Sequence, residues 1–169
     1  MTPIEFTQKY LLFAKQTEEK SGISALFILA QAALESGWGK SAPGNMFFGV
    51  KAGKSTPENK KQLLETSEVF ADAKQGYRFP QVISITNRAD GKYLYKVKDW
   101  FRKYDTPEEC FSDHADFFFQ NKRYSDALKV KSNPYKFADE VARAGYATAT
   151  NYASTLKLVI DMIKPFLEC

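Results

Sequence analysis

Ser24-Ala25-Leu26-Phe27-Ile28-Leu29-Ala30-Gln31-Ala32-Ala33-Leu34-Glu35-Ser36-Gly37 is the stretch that decides the fold. Its apolar residues do not keep to one stripe but run round nearly every side, so a helix from Ala25 to about Ser36 must be enclosed by other elements. Ser24 stands where an N-cap belongs, and Gly37 where a helix commonly stops. The apolar run from Ile23 to Leu34 is interrupted by Ser24 and Gln31 and falls short of the ~20 residues a membrane-spanning helix needs. It reads as a buried central helix.

One residue of this stretch is out of place in a core. Glu35 lies in the last turn, where the helix dipole disfavours negative charge. The apolar residues before it add a desolvation cost, so the position favours the neutral carboxylic acid that a general acid requires. Gly37 and Gly39 let the backbone turn away and leave room beside the side chain. Emergence of Glu35 at the surface as the helix ends is the other reading, and the residues alone leave both open.

Outward from this helix, Thr2-Pro3 opens a first helix with Ile4, Phe6, Tyr10, Leu11, Phe13 and Ala14 on its apolar stripe, and Ser21-Gly22 stops it. From Gln62 to Tyr104 the period changes to that of strands. Leu64 to Phe70, Gln81 to Thr86 and Lys92 to Lys98 are rich in β-branched and aromatic residues, with a hairpin signal at Asn87-Arg88-Ala89-Asp90-Gly91. Thr106-Pro107-Glu108-Glu109 then has the form of a capping box, and Cys110, Phe111, Ala115, Phe118 and Phe119 form the buried face of the helix it opens. Further helices are expected at Ser125 to Val130, Pro134 to Ala144 and Asn151 to Leu167. The pattern is an α+β fold, one domain over 1–169 with a small antiparallel sheet inserted at about 60–104.

Composition narrows the function. The chain has 169 residues, 44% hydrophobic and 26% charged, with a net charge of +4, which suits a folded domain and lacks the clustered basic excess of a nucleic-acid binder. Met1-Thr2-Pro3-Ile4-Glu5-Phe6 has no signal-peptide pattern, so synthesis without a secretory leader is the expectation. One histidine and two cysteines give no metal-ligand spacing, and no metal or cofactor is expected. Cys110 and Cys169 either pair or remain thiols. His114, at helical spacing among Phe111, Ala115 and Phe118, reads as a packed residue rather than a catalytic one. The aromatic content is high, with 14 Phe, 9 Tyr and 2 Trp. Phe6, Phe13, Phe111, Phe118 and Phe166 fall on helix stripes. Trp38, Phe47, Phe48, Tyr77, Phe79, Tyr93, Tyr95, Trp100, Tyr146 and Tyr152 fall in segments suited to lining a cleft.

The run Leu29 to Gly39, followed by Gly44-Asn45-Met46-Phe47-Phe48-Gly49-Val50-Lys51-Ala52, resembles the signature of the bacterial endo-β-N-acetylglucosaminidases of glycoside hydrolase family seventy-three. Phe101 to Asp105 leading into Glu108 to His114, and Gly145-Tyr146-Ala147-Thr148-Ala149-Thr150-Asn151-Tyr152-Ala153, resemble further blocks of that family in the same order. The resemblance implies a lysozyme-like fold, a helical lobe facing a small β-lobe across a cleft, with Glu35 as the general acid.

Glycoside hydrolysis commonly adds a second carboxylate, either close enough to attack or roughly 6.5 to 9.5 Å from the acid. Glu65, Glu68, Asp72 and Asp99 are candidates. Thr66-Ser67-Glu68-Val69 resembles the family's β-lobe segment, which selects Glu68, with Glu65 next. The two point to opposite faces of a strand. Assistance by the acetamido group of the sugar is the alternative to a second carboxylate. Tyr146 is implied to orient that group or to stabilise developing charge. Where the family usually has Asp-Pro this chain has Ala149-Thr150, which shifts the next helix cap to Thr150 or Asn151. Trp38, Phe48 and Tyr152 are candidates for stacking on sugar rings, or core residues. Asn45 either holds its loop or contacts the glycan.

The implied function is a peptidoglycan hydrolase that cuts the β-1,4 bond between N-acetylglucosamine and N-acetylmuramic acid. It would act on glycan strands in the periplasm or cell wall, as a toxin, effector or phage lysin, with a cognate immunity protein as a further expected partner. A muramidase or lytic transglycosylase on the same fold, and a non-catalytic glycan-binding or assembly module, are the alternatives.

Overall fold

The computed structural model describes residues 1–167, in the order α1 (Pro3–Ser21), α2 (Ala25–Ser36), β1 (Lys61–Phe70), β2 (Gln81–Asn87), β3 (Tyr93–Arg102), α3 (Pro107–Gln120), α4 (Ser125–Leu128), α5 (Pro134–Arg143) and α6 (Tyr152–Ile163). It divides into two units. The helical unit takes residues 1–48 and continues from Tyr104 onward; the strand-bearing unit runs from Gly49 to Lys103.

In the helical unit α2 packs on α1, α5 and α6, and Phe27, Leu29, Ala30, Gln31, Ala32 and Ala33 have no exposed surface. Its apolar circumference thus has the enclosing neighbours it requires. α6 turns Tyr152, Leu156, Val159, Ile160 and Ile163 inward, and α5 adds Phe137, Ala138 and Val141. Aromatic rings fill the space between helices, with Phe27 4.5 Å from Phe137 and Phe118 5.3 Å from Phe137.

The helix ends follow local chemistry, with some reassignments. Thr2 and Glu5 form the reciprocal capping box of α1, and Gly22 closes that helix in the left-handed region at φ 74°. Ser24 makes no side-chain cap; Glu18 reaches over from α1, and its carboxylate accepts the Ala25 N–H instead. Thr106 caps α3, but Glu109 returns to the Asp105 N–H, one residue outside the expected box. α6 starts after Asn151 and ends at Ile163, short of Leu167, because Pro165 cannot continue the ladder and the chain tightens into a 3₁₀ turn at Lys164–Phe166.

Two stripe assignments and two cleft assignments need correction. Ile4 and Phe119 are 42% and 47% exposed. Each sits at the margin of its helix's apolar stripe, where periodicity alone cannot say which flank is covered. Phe119 instead lies under the Lys131 ammonium at 5.0 Å. Phe47 and Tyr95 are 2% and 0% exposed, so they are core residues and not cleft lining.

The strand-bearing unit is a three-stranded antiparallel sheet in the order β1-β3-β2. The expected hairpin turns between Asn87 and Tyr93, with Gly91 at φ 80° and Arg88 N–H donating to the Lys92 carbonyl. The unit begins before the strands, since Lys51 bridges to Phe101 and Ala52 N–H donates to the Trp100 carbonyl. The register opposes Glu68 to Tyr95 and Leu64 to Asp99 on one face and Glu65 to Lys98 on the other. Glu68 is half-buried and Glu65 exposed, as the odd spacing requires.

Leu29→Ala, deep in α2, is expected to lower stability by about 3 kcal/mol, whereas Leu12→Ala on the exposed side of α1 should change it by less than about 0.5 kcal/mol. Urea unfolding of both variants measures the contrast.

Candidate active site

Glu35 is the penultimate residue of α2, and the backbone after it turns sharply. Gly37, Trp38 and Gly39 are all left-handed, at φ 57°, 58° and 77°. Gly37 N–H and Trp38 N–H return to the carbonyls of the last helical turn, as in a Schellman cap. The left-handed backbone at Gly39 strains any L side chain, and a Cβ there would also displace the end of the Met1 side chain. Trp38 bears a conformation that costs an L-residue about 1–2 kcal/mol. It is fixed by its ring, which packs edge-on against Phe6 at 5.7 Å.

Glu35 itself is exposed, not desolvated by the apolar turns that precede it. What holds it is one hydrogen bond: the Tyr152 hydroxyl donates to Glu35 Oε1 at 3.0 Å. Tyr152 in turn accepts from Gln31 Nε2 at 3.0 Å, and Gln31 Oε1 lies 2.7 Å from His114 Nε2. Glu35, Tyr152, Gln31 and His114 thus form one continuous chain of side chains from α2, α6 and α3.

Its aromatic surroundings set the protonation states. Phe48 stacks on the His114 ring at 3.7 Å and 11°, and Phe117, Phe118 and Tyr146 surround it at 4.9–6.0 Å. Burial alone lowers the His114 pKa to about 3, so the imidazole is neutral at physiological pH. Burial also pushes both Tyr146 and Tyr152 above the ordinary phenol range, with the charge of Glu35 adding to the effect. Both hydroxyls therefore keep their protons and can donate.

The residues expected from the sequence separate into three groups. Glu35, Tyr146 and Tyr152 come together, the two tyrosine rings 5.5 Å apart. Trp38, Asn45 and Phe48 support the same unit from its packing side. Asn45, left-handed at φ 56°, donates through Nδ2 to the Tyr104 carbonyl at 3.0 Å and the Asp105 carbonyl at 3.3 Å, which holds its loop to the start of α3. Tyr152 is 8% exposed, so its hydroxyl rather than its ring face reaches Glu35. Glu68 belongs to the strand-bearing unit, where Lys51 Nζ sits 2.7 Å from its carboxylate and 2.9 Å from that of Asp99.

Gln31 and Lys51 were not singled out from the sequence. Gln31 carries a signal, as the lone polar residue within the apolar run of α2; Lys51 carries none, because its partners are distant in the chain. Cys110 is buried, accepts the Phe47 N–H, and has its thiol pKa raised to about 12 mainly by desolvation. Cys169 lies outside the described residues. Among those residues no helix is long and apolar enough to cross a membrane.

Residues 12–165 match the Glucosaminidase family model, described as mannosyl-glycoprotein endo-beta-N-acetylglucosaminidase. The peptidoglycan hydrolase FlgJ of Pseudomonas aeruginosa is 33% identical over an alignment covering 96% of this chain and 37% of that protein. FlgJ of Salmonella typhimurium is 32% identical, with 97% and 47% covered. The chain thus spans less than half the length of these relatives. The solved, C-terminally truncated glycoside hydrolase domain of the Salmonella FlgJ superposes with a TM-score of 0.72 at 32% identity, covering 96% of this chain and 98% of that one. A structure titled as a type VI secretion system effector-immunity complex from Pseudomonas protegens shares the fold, with a TM-score of 0.57 at 18% identity over 100% of this chain and 96% of that one.

The chain has one histidine, so its ring signals are unambiguous in an NMR titration. Because the folded pKa lies below the ordinary 6.5, the unfolded chain binds a proton that the folded chain refuses, and this contribution to stability is lost as pH falls from 6.5 towards 3. The His114 signals are expected to hold their neutral position through that window for as long as the protein stays folded; a midpoint near 6.5 rules the neutral, enclosed ring out.

Proposed function

The chain belongs to the glucosaminidase family of glycoside hydrolases, and from that premise we propose that it hydrolyses peptidoglycan at the β-1,4 bond between N-acetylglucosamine and N-acetylmuramic acid, with Glu35 as general acid. The observation that carries the reading is the placement of Glu35: an exposed carboxyl at a helix end, held through one oxygen by a buried tyrosine. Protonated, it delivers its proton to the glycosidic oxygen, which departs with its sugar as the bond breaks, while an oxocarbenium-like centre develops at the anomeric carbon left behind. Water then completes hydrolysis at that centre.

Glu68 is the proposed second carboxylate, activating that water or facing the developing charge. Its place on the half-buried side of β1 and its ion pair with Lys51 support it over Glu65, which points to the exposed side. Tyr146, whose hydroxyl stays protonated beside Glu35, is proposed to orient the acetamido group of the substrate or to donate to developing negative charge. Trp38 and Phe48, half-buried, and Asn45 are proposed to shape the glycan site, mainly by fixing the segments that bear it.

Peptidoglycan lies outside the cytoplasmic membrane, so action in the periplasm or cell wall follows from the substrate. Use as a bacteriolytic toxin, effector or phage lysin belongs to the same proposal. A producer that bears the same polymer then needs a cognate inhibitor, and a protein covering Glu35 would serve.

Glu35→Gln is expected to lower turnover by about 10³-fold or more and Glu68→Gln by less, read as clearing of a sacculus suspension. Mass spectrometry of the digest is expected to show reducing-end N-acetylglucosamine; reducing-end or anhydro-muramic products point instead to a muramidase or lytic transglycosylase. Equal clearing by wild type and Glu35→Gln overturns the acid.

A further inference from the structure

We infer that Gln31 and His114, although enclosed in the core, are positioning residues for the reaction and act on Glu35 through the Tyr152 hydroxyl. The inference rests on Glu35 being the acid, and the geometry supplies the rest.

Three buried polar side chains from three different helices meet in sequence: Gln31 at 0% exposure, His114 at 7% and Tyr152 at 8%. Groups so placed must be paired, and each pairing constrains the next. Gln31 Oε1 can only accept, so the neutral His114 must carry its proton on Nε2 and donate across the 2.7 Å contact. The carboxamide orientation is thereby set, and Gln31 Nε2 donates to the Tyr152 oxygen. With its oxygen so engaged, Tyr152 turns its own proton towards Glu35 Oε1. Every bond in the chain points the same way, from the imidazole to the carboxylate.

This order has a consequence for the acid. A hydroxyl proton committed to Oε1 leaves Oε2 as the oxygen that carries the proton to the glycosidic bond, which fixes both the transferring atom and the rotation of the carboxyl plane. Gln31 and Glu35 are one helical turn apart on α2, so a single tyrosine hydroxyl meets both. Phe48 and Phe117 flank the His114 ring and hold the head of the chain against rotation. Neither Gln31 nor His114 can touch a polymeric substrate, since both are buried within the helical unit.

The test is a double-mutant cycle on the full chain, with soluble peptidoglycan fragments as substrate. Gln31→Met keeps the volume and removes both hydrogen bonds; Tyr152→Phe removes only the hydroxyl. Each single change is expected to lower kcat roughly tenfold to a hundredfold, in line with the cost of misplacing a reacting group, and to leave KM unchanged. The double variant is expected to be no slower than Tyr152→Phe alone, because Gln31 has nothing to act through once the hydroxyl is gone. Multiplying losses, a KM effect without a kcat effect, or full activity of Gln31→Met each overturns the relay. If Gln31→Met does not fold, His114→Leu replaces it in the same cycle, with the same non-additivity expected. Glu35→Gln runs alongside: an active Glu35→Gln defeats the acid assignment itself, whereas an inactive one with multiplying losses elsewhere defeats only the relay.

Discussion

The constraint on which the helical unit depends is the satisfaction of Gln31. An apolar helix with no polar side can be enclosed by its neighbours at many rotations about its own axis, since hydrophobic contact is non-directional. A carboxamide at its centre removes that freedom, because leaving it unpaired costs about 1–3 kcal/mol. Gln31 is satisfied by His114 from α3 and Tyr152 from α6, so one residue fixes the rotation of α2 and the approach of two helices distant in sequence. The rotation that satisfies Gln31 also brings Glu35, one turn later, to the same tyrosine. The pairing of Gln31 and the placement of Glu35 thus share one tyrosine hydroxyl.

What was legible in the chain is what local chemistry decides. Thr2-Pro3, Thr106-Pro107 and Asn133-Pro134 each open a helix where cap and proline say they should, and the period change after Gln62 marks the strands. Several of the departures arise instead from a partner that local sequence does not reveal. Ser24 has the right residue type for a cap, yet Glu18 supplies the bond because α1 passes close enough for its longer side chain to reach. Phe47 and Tyr95 read as cleft aromatics by position, yet both are enclosed, Tyr95 with its hydroxyl donating to the Asp72 carbonyl. The ion pairs of Lys51 with Glu68 and Asp99 join residues from separate strands and a loop, and no short-range pattern encodes them.

The same division runs through the site. Glu35 stood out because a carboxylate after an apolar helix contradicts its neighbourhood. Helical spacing places His114 on a packed face, where it is 7% exposed, and says nothing of the Gln31 it meets across the core. A polar residue in an apolar run is a demand for partners, and here one of those partners, Tyr152, also holds Glu35.

The exposure of Glu35 alters how its environment is understood. The sequence suggests a carboxyl shaped by surrounding apolar residues; the structure instead has it open in front and held from behind. Such an arrangement leaves the carboxyl accessible, whereas a lining that desolvated it would also cover it. Order therefore comes from the protein side. The left-handed run at Gly37, Trp38 and Gly39 turns the backbone sharply after Glu35, and the edge-on packing of Trp38 against Phe6 fixes that turn. Tyr152, kept protonated by its own burial, secures one oxygen from beneath. A carboxyl so arranged is ordered by buried groups behind it and leaves its own surface exposed.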